Sequence, residues 1–159
     1  MARRYWLMKS EPDAFSMDDL IASDQQTAPW DGVRNYQARN FMRDEMKPGD
    51  GVFFYHSRTQ PLVIAGTMEV SSKPYPDPTQ FDPDSKYFDA KSSKEQPRWF
   101  LVDVTFTAKF EPPITRDQLK QTPGLEDMMV LQKGSRLSIQ PVTEQEWIII
   151  HQLAGKDPK

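Results

Sequence analysis

The chain has 159 residues, enough for one domain with a substantial core and small for two. It carries 20 Lys and Arg against 23 Asp and Glu, a formal charge of -3, which speaks against a protein that grips nucleic acid mainly by neutralising phosphates. Cysteine is absent and only His56 and His151 supply imidazole, so disulfides, thiolate nucleophiles, Cys-ligated zinc and a three-His metal centre within one chain are excluded. No metal and no cofactor is expected. No apolar run approaches the roughly 18 residues of a membrane span, and the first residues contain no apolar signal segment. The expectation is a soluble, cytoplasmic protein that makes no use of a membrane. The 14 prolines read as loop punctuation, because aromatics at 11% are spread along the chain and supply core material.

In chain order, Tyr5 to Lys9 is apolar on both faces and predicts a buried strand that stops at Ser10-Glu11-Pro12. Ser16 before Met17, Asp18, Asp19 and Leu20 is a helix start. Trp30-Asp31-Gly32 is a turn, and a helix runs from Asn35 towards the stop signal Lys47-Pro48-Gly49-Asp50. Val52–His56 and Leu62–Val70 predict neighbouring strands, with Gly66 as a bulge. Lys73–Pro97 holds five prolines and few aliphatics. It predicts a long ordered loop anchored by Tyr75, Phe81, Tyr87 and Phe88. Trp99–Phe110 alternates like a half-buried strand and is expected to end at Pro112-Pro113. Thr115 caps a short helix through Leu119, and Leu125–Met129 offers another turn. Arg136–Ile139 is the last expected strand. Thr143-Glu144-Gln145-Glu146 is a capping box that opens a helix ending at Gly155. Five or six strands with short helices between them give an α+β domain, a single unit over residues 1–159, in which a small mixed sheet curls into a partial barrel.

Four constellations bear on function. Lys9, Ser10 and Glu11 stand at the end of a buried strand, where side chains enter whatever cleft the sheet opens onto; an ordinary solvated strand exit fits them as well. Trp30 on a Gly-containing turn offers a flat apolar face for stacking on a base, or else a lid on the core. Arg34 and Asn35 follow at a helix N-terminus; Asn35 suits the edge of a nucleobase or serves as a plain N-cap. Tyr55-His56-Ser57 ends a strand. A His–Ser hydrolase would need an acid partner and an oxyanion hole that no motif supplies, so His56 is either a polar contact in a pocket or a satisfied structural histidine. The acids Asp77, Asp82, Asp84 and Asp89 lack calcium-loop spacing. Arg136 and Ser138 share one face of the last expected strand, towards a cleft or towards solvent.

Together these motifs resemble the EVE domain. The resemblance is carried by Tyr5-Trp6-Leu7-Met8-Lys9-Ser10-Glu11-Pro12, by the long run from Trp30 to Met42, by Phe54-Tyr55-His56-Ser57, Tyr75-Pro76-Asp77-Pro78-Thr79, Pro97-Arg98-Trp99 and Ser135-Arg136-Leu137-Ser138. It extends from about Tyr5 to Leu153. It implies a PUA-like fold, a curved and mostly antiparallel β-barrel with flanking short helices, related to the YTH and SRA domains. It implies a binding module that reads a methylated or otherwise modified base in DNA or RNA. Lys9, Ser10, Trp30, Val33, Arg34, Asn35, Tyr55, His56, Ser57, Arg136 and Ser138 would hold the base, with Trp6 and Trp99 as further aromatic candidates. Arg34 and Arg39 would touch flanking phosphates. Eukaryotic relatives carry a basic N-terminal extension; this chain starts almost at the first strand and is expected to be the stand-alone prokaryotic form, a monomer. The alternatives are an enzyme acting on a modified base or nucleotide, with His56 as acid–base and Lys9 or Glu11 as its partner, and a pocket for a free small ligand. A pocket that takes one base needs few phosphate contacts, which fits the -3 charge.

Overall fold

The computed structural model describes residues 3–134 and 136–158. Its strands are β1 (Tyr5–Ser10), β2 (Thr27–Pro29), β3 (Gly51–His56), β4 (Val63–Val70), β5 (Tyr75–Pro76), β6 (Phe100–Leu101), β7 (Asp103–Thr115) and β8 (Ile139–Val142). Its α-helices are α1 (Met17–Ala22), α2 (Tyr36–Asn40), α3 (Arg116–Lys120) and α4 (Glu144–Ala154). Six strands form one mixed sheet in the order β2-β7-β4-β3-β1-β8, curled into a half-barrel whose edge strands do not pair with each other. β5 and β6 make a separate ribbon. β1 and β3 pair in parallel at the centre, in register from Tyr5 opposite Gly51 to Ser10 opposite His56; the other ladders are antiparallel.

Period-two alternation places two cores on the two sides of this sheet. Trp6, Met8, Val52, Phe54, Met68 and Val70 face one core with Met17, Leu20, Trp30 and Met42. Leu7, Phe53, Tyr55 and Ile64 face the other with Leu119, Trp147 and Ile150. This explains why β1 and β3 read as unbroken apolar runs. The three expected caps are present, and each is a full capping box: Thr143 with Glu146, as expected, and also Ser16 with Asp19 and Thr115 with Gln118. Gly155 closes α4 in the left-handed conformation, at φ 67°. α2 passes directly into one π-helical turn, Phe41–Glu45.

Three expectations need correction. β7 does not end before Pro112-Pro113. Its ladder to β4 loses register between Gly66 opposite Lys109 and Ile64 opposite Ile114, and the two prolines occupy that irregular stretch, where they need donate no hydrogen bond. The last strand begins at Ile139, so Arg136 and Ser138 precede it and share no strand face; Ser135, part of the same motif, lies outside the described residues. The loop from Lys73 to Pro97 is ordered, but two of its expected aromatic anchors, Tyr75 and Phe88, are exposed. The anchors are polar. Asp77 and Gln80 are both 0% exposed, and each has its hydrogen-bonding capacity met inside the protein. The bulge beside Gly66 is present, and an added Cβ there would collide with Ala108 O.

Candidate functional site

A cleft of about 740 Å³ opens where β1 leaves the sheet. Its walls come from Lys9, Ser10 and Glu11 at the end of β1, Ala14 and Phe15 before α1, Ser23, Thr27 to Arg34, Lys86 with Tyr87 from the long loop, and Ser138 beside β1. The volume lies within the range of small-ligand sites. Trp30, only 7% exposed, lines the cleft and meets Phe15 and Phe54 edge-on, at 6.2 and 5.3 Å between ring centres. The indole is therefore held in one orientation by aromatic neighbours. Val33 adds a second buried apolar wall residue.

Lys9 is an unpaired cation of the cleft. Its ammonium makes no hydrogen bond or ion pair with the described residues, while its backbone N–H donates to Ser138 O at 2.8 Å. Partial burial, and then the Arg116 guanidinium, hold its pKa below the usual lysine range. Asp31, expected only as a turn residue, also lines the cleft. Partial burial, and then the charge of Asp77, raise its carboxyl pKa above the usual range. An unpaired ammonium and a carboxyl beside a fixed indole can bind a flat polar group on its edge and its face together. Ser10 is less available as a donor, since its hydroxyl donates to Phe15 O at 2.6 Å.

The outer wall is fastened by one buried carboxylate. Asp77 accepts from Gly32 N–H at 2.8 Å, Arg34 Nη1 at 3.1 Å, Thr79 N–H at 2.8 Å and the Thr79 hydroxyl at 2.6 Å. Arg34 donates in addition to Val33 O, Thr79 Oγ1 and, through Nε and Nη2, Tyr87 O. A guanidinium has five N–H donors, and these bonds occupy all five. Arg34 thus ties the long loop to the segment after Trp30 and has no donor left for a phosphate. Gly32 takes φ +79°, and a Cβ there would sit 2.5 Å from the Tyr87 ring, so this turn needs glycine.

The expected site residues divide into two groups. Lys9, Ser10, Trp30, Val33, Arg34 and Ser138 line the cleft. Asn35, Tyr55, His56, Ser57 and Arg136 are not among its lining residues. Asn35 caps α2, accepting from Ala38 N–H at 3.0 Å. Tyr55 is buried in the opposite core. Ser57 is tied through its N–H to Ser10 O, and Arg136 is exposed. His56 Nε2 accepts from Met17 N–H at 3.1 Å, and its ring lines a separate recess of about 260 Å³ with Met17, Val63, Phe110 and Pro112. It thus faces a different recess from Lys9 and Glu11, its partners in the enzyme alternative. Trp6 and Trp99 are structural: their indole N–H groups donate to Asp50 and Asp89. Phe15, Asp31, Lys86 and Tyr87 were missed, because only the folded chain brings their segments to one opening. Among the described residues no cluster of His, Asp and Glu could hold a metal, and no helix is long and apolar enough to cross a membrane.

The YTH domain of the Zygosaccharomyces rouxii MRB1 protein, solved with N6-methyladenosine RNA, superposes with a TM-score of 0.53 over 96% of this chain and 86% of its own at 15% identity, and shows the fold alone: PUA-like. Human thymocyte nuclear protein 1 is 42% identical over 97% of this chain and 75% of its own length. Its crystal structure in complex with 5-methylcytosine-containing DNA superposes with a TM-score of 0.88, covering 98% of this chain and 99% of that one at 42% identity. The EVE domain family model matches residues 4–153, which span the half-barrel, the cleft and α4 to within one residue of its end. On this match and these identities, the chain belongs to the EVE domain family.

Proposed function

We propose that the chain binds a modified nucleobase in nucleic acid, and that the cleft at the end of β1 takes the base. The observation that carries this reading is the pairing of an unpartnered Lys9 ammonium with the fixed Trp30 indole in a 740 Å³ cleft. It is supported by a relative of 42% identity that was solved with 5-methylcytosine DNA. In this reading Trp30 and Phe15 pack against the ring and its methyl group. Lys9 donates to a ring carbonyl, and Asp31 accepts from an exocyclic amine, as carboxylates do from cytosine N4. A base taken from a duplex leaves its stack at a cost of a few kcal/mol, so the cleft must return that much through contact and charge.

Burying one methyl group contributes about 0.8 kcal/mol, roughly a four-fold preference. The test is a panel of short oligonucleotides, DNA and RNA, carrying cytosine, 5-methylcytosine, adenine or N6-methyladenine, with affinities measured for wild type, Trp30→Leu and Lys9→Met. Wild type is expected to prefer one methylated oligonucleotide over its unmethylated twin by a few-fold or more. Trp30→Leu should erase that preference, and Lys9→Met should weaken binding to both twins. Equal affinity of wild type for every member of the panel would overturn the proposal.

A further inference from the structure

The cleft is connected to the outer surface by an unbroken column of stacked side chains. Lys86 Nζ lies 5.1 Å from the Tyr87 ring centre, and the Arg34 guanidinium lies 5.5 Å from the same ring. Arg34 in turn lies 5.2 Å from the Trp99 ring, and Trp99 stacks on Tyr36 at 4.7 Å and 20° between planes. The Arg39 guanidinium covers Tyr36 at 4.7 Å. The inner members Lys86, Tyr87 and Arg34 line the cleft. At the outer end Tyr36 is 50% exposed, an unusual position for a ring stacked so closely. Cations and rings alternate from Lys86 to Trp99, and each ring of the column has a cation near it, Arg39 serving Tyr36.

Three arginines of this region are in different states. Arg34 has all five donors engaged inside the wall. Arg43, one turn beyond Arg39, is neutralised by Asp44, which accepts from both Nε and Nη2. Arg39 uses Nε and Nη2 on Asn40 Oδ1 and Nη1 on Arg98 O. Three of its five N–H donors are therefore satisfied and two remain, one on each terminal nitrogen. It makes no ion pair with the described residues. Its plane is fixed by the ring beneath and by Asn40, and it stands at the outer end of a column that begins in the cleft. A fixed guanidinium with two open donors matches the geometry of a phosphate.

We infer that Arg39 is a phosphate contact for the strand that delivers a base to the cleft, and that the stacked column holds it at a set distance from that base. This deepens the proposed function and rests on it for the strand's origin. Arg39 then contributes affinity without selecting the base, because a phosphate contact carries no sequence information. Tyr36 and Trp99 act as positioning residues, holding the guanidinium rather than touching the strand.

The experiment is a salt titration of affinity between about 50 and about 200 mM, with a duplex carrying one 5-methylcytosine and its unmethylated twin. The proteins are wild type, Arg39→Gln and Arg39→Lys. Each phosphate contact contributes about 0.9 to the slope of log affinity against log salt on duplex DNA. Arg39→Gln should lower the slope by about that amount on both duplexes, leave the ratio between them unchanged within two-fold, and weaken both several-fold. Arg39→Lys should keep the slope. A slope unchanged in Arg39→Gln overturns the inference, as does a changed ratio with an unchanged slope, which would mark Arg39 as a support of the cleft. Should Arg39→Gln not fold, the Arg39 Nε–H resonance of wild type decides: it must shift when unmethylated duplex is added, and a resonance that stays in place overturns the inference. If wild type binds both duplexes equally and the slope still falls, the base-reading proposal fails while the phosphate contact stands.

Discussion

The α4 side of the half-barrel and the outer wall of the cleft are held together by different chemistry. On the side of α4, order comes from apolar and aromatic packing: Trp147 stacks on Tyr5 at 4.7 Å and lies 4.5 Å from Phe53, with Phe110 and Ile150 in the same cluster. On the side of the cleft, the outer wall is held by buried polar groups. Asp77 and Gln80 gather backbone N–H and C=O groups from segments that would otherwise have no partner. Gln80 donates twice and accepts from Ser92 Oγ, Arg98 N–H and Trp99 N–H. Apolar packing excludes water and gives a closed core. Buried hydrogen bonding instead lets an irregular loop stand beside an open cleft, because it fixes backbone without filling space. The difference shows how a binding wall is made rigid where a packed core would have closed it.

Substitutions on the two sides should therefore have similar effects on stability and different effects on binding. Trp147→Ala removes a fully buried indole, a loss of about 4 kcal/mol, which lowers the melting temperature by roughly 12 °C for a domain of this size. The preference for a methylated over an unmethylated oligonucleotide should survive, measured below the new transition. Asp77→Ala leaves Arg34 and Gly32 N–H without their acceptor. Removing one partner of a buried pair is expected to cost about 3 kcal/mol, roughly 10 °C by calorimetry, and here the preference should vanish with the wall. Loss of preference in Trp147→Ala, or its retention in Asp77→Ala, would break the comparison. Gly32→Ala forces a left-handed alanine against the Tyr87 ring, an expected loss of about 1–2 kcal/mol. Its signature is a weakened oligonucleotide affinity larger than that stability loss implies.

The smallest effect is that of pH. Burial lowers the pKa of His151, whose Nδ1 donates to Trp147 O at 2.7 Å, and burial lowers that of His56, whose Nε2 accepts from Met17 N–H. Both imidazoles are thus neutral in the folded state at pH values where the unfolded chain, with an ordinary pKa of about 6.5, takes up protons. The unfolded state binds more protons in that window, so stability is fully present above about pH 6.5 and declines as pH falls. Urea midpoints measured from neutral to mildly acidic pH should decrease, and His151→Gln should flatten part of that decrease. An unchanged slope in His151→Gln would remove this histidine from the account.

The same contrast explains what was legible in the sequence. The caps Ser16, Thr115 and Thr143 depend on neighbouring residues and were readable, as were β1 and β3, whose two buried faces make continuous apolar runs. β2 has three residues and a proline, which carries no pattern; its existence depends on β7, some 75 residues later. The expected last strand, Arg136–Ile139, falls ahead of β8, whose Pro141 is tolerated because β8 lies at the edge of the sheet. For the cleft, Lys9, Ser10 and Trp30 were legible as polar and aromatic groups at a strand end and a turn. Asp31, Lys86 and Tyr87 were not, because their placement is set by Asp77, and a buried aspartate in a proline-rich loop looks like any solvated one.

The central claim is that a modified base enters the cleft against Trp30. An oligonucleotide carrying 5-methylcytosine labelled with carbon-13 in the methyl group tests it most directly, by following the methyl resonance during titration. The account predicts a large ring-current displacement on binding wild type and its loss with Trp30→Leu. A methyl resonance that stays in place while the oligonucleotide is demonstrably bound would contradict it.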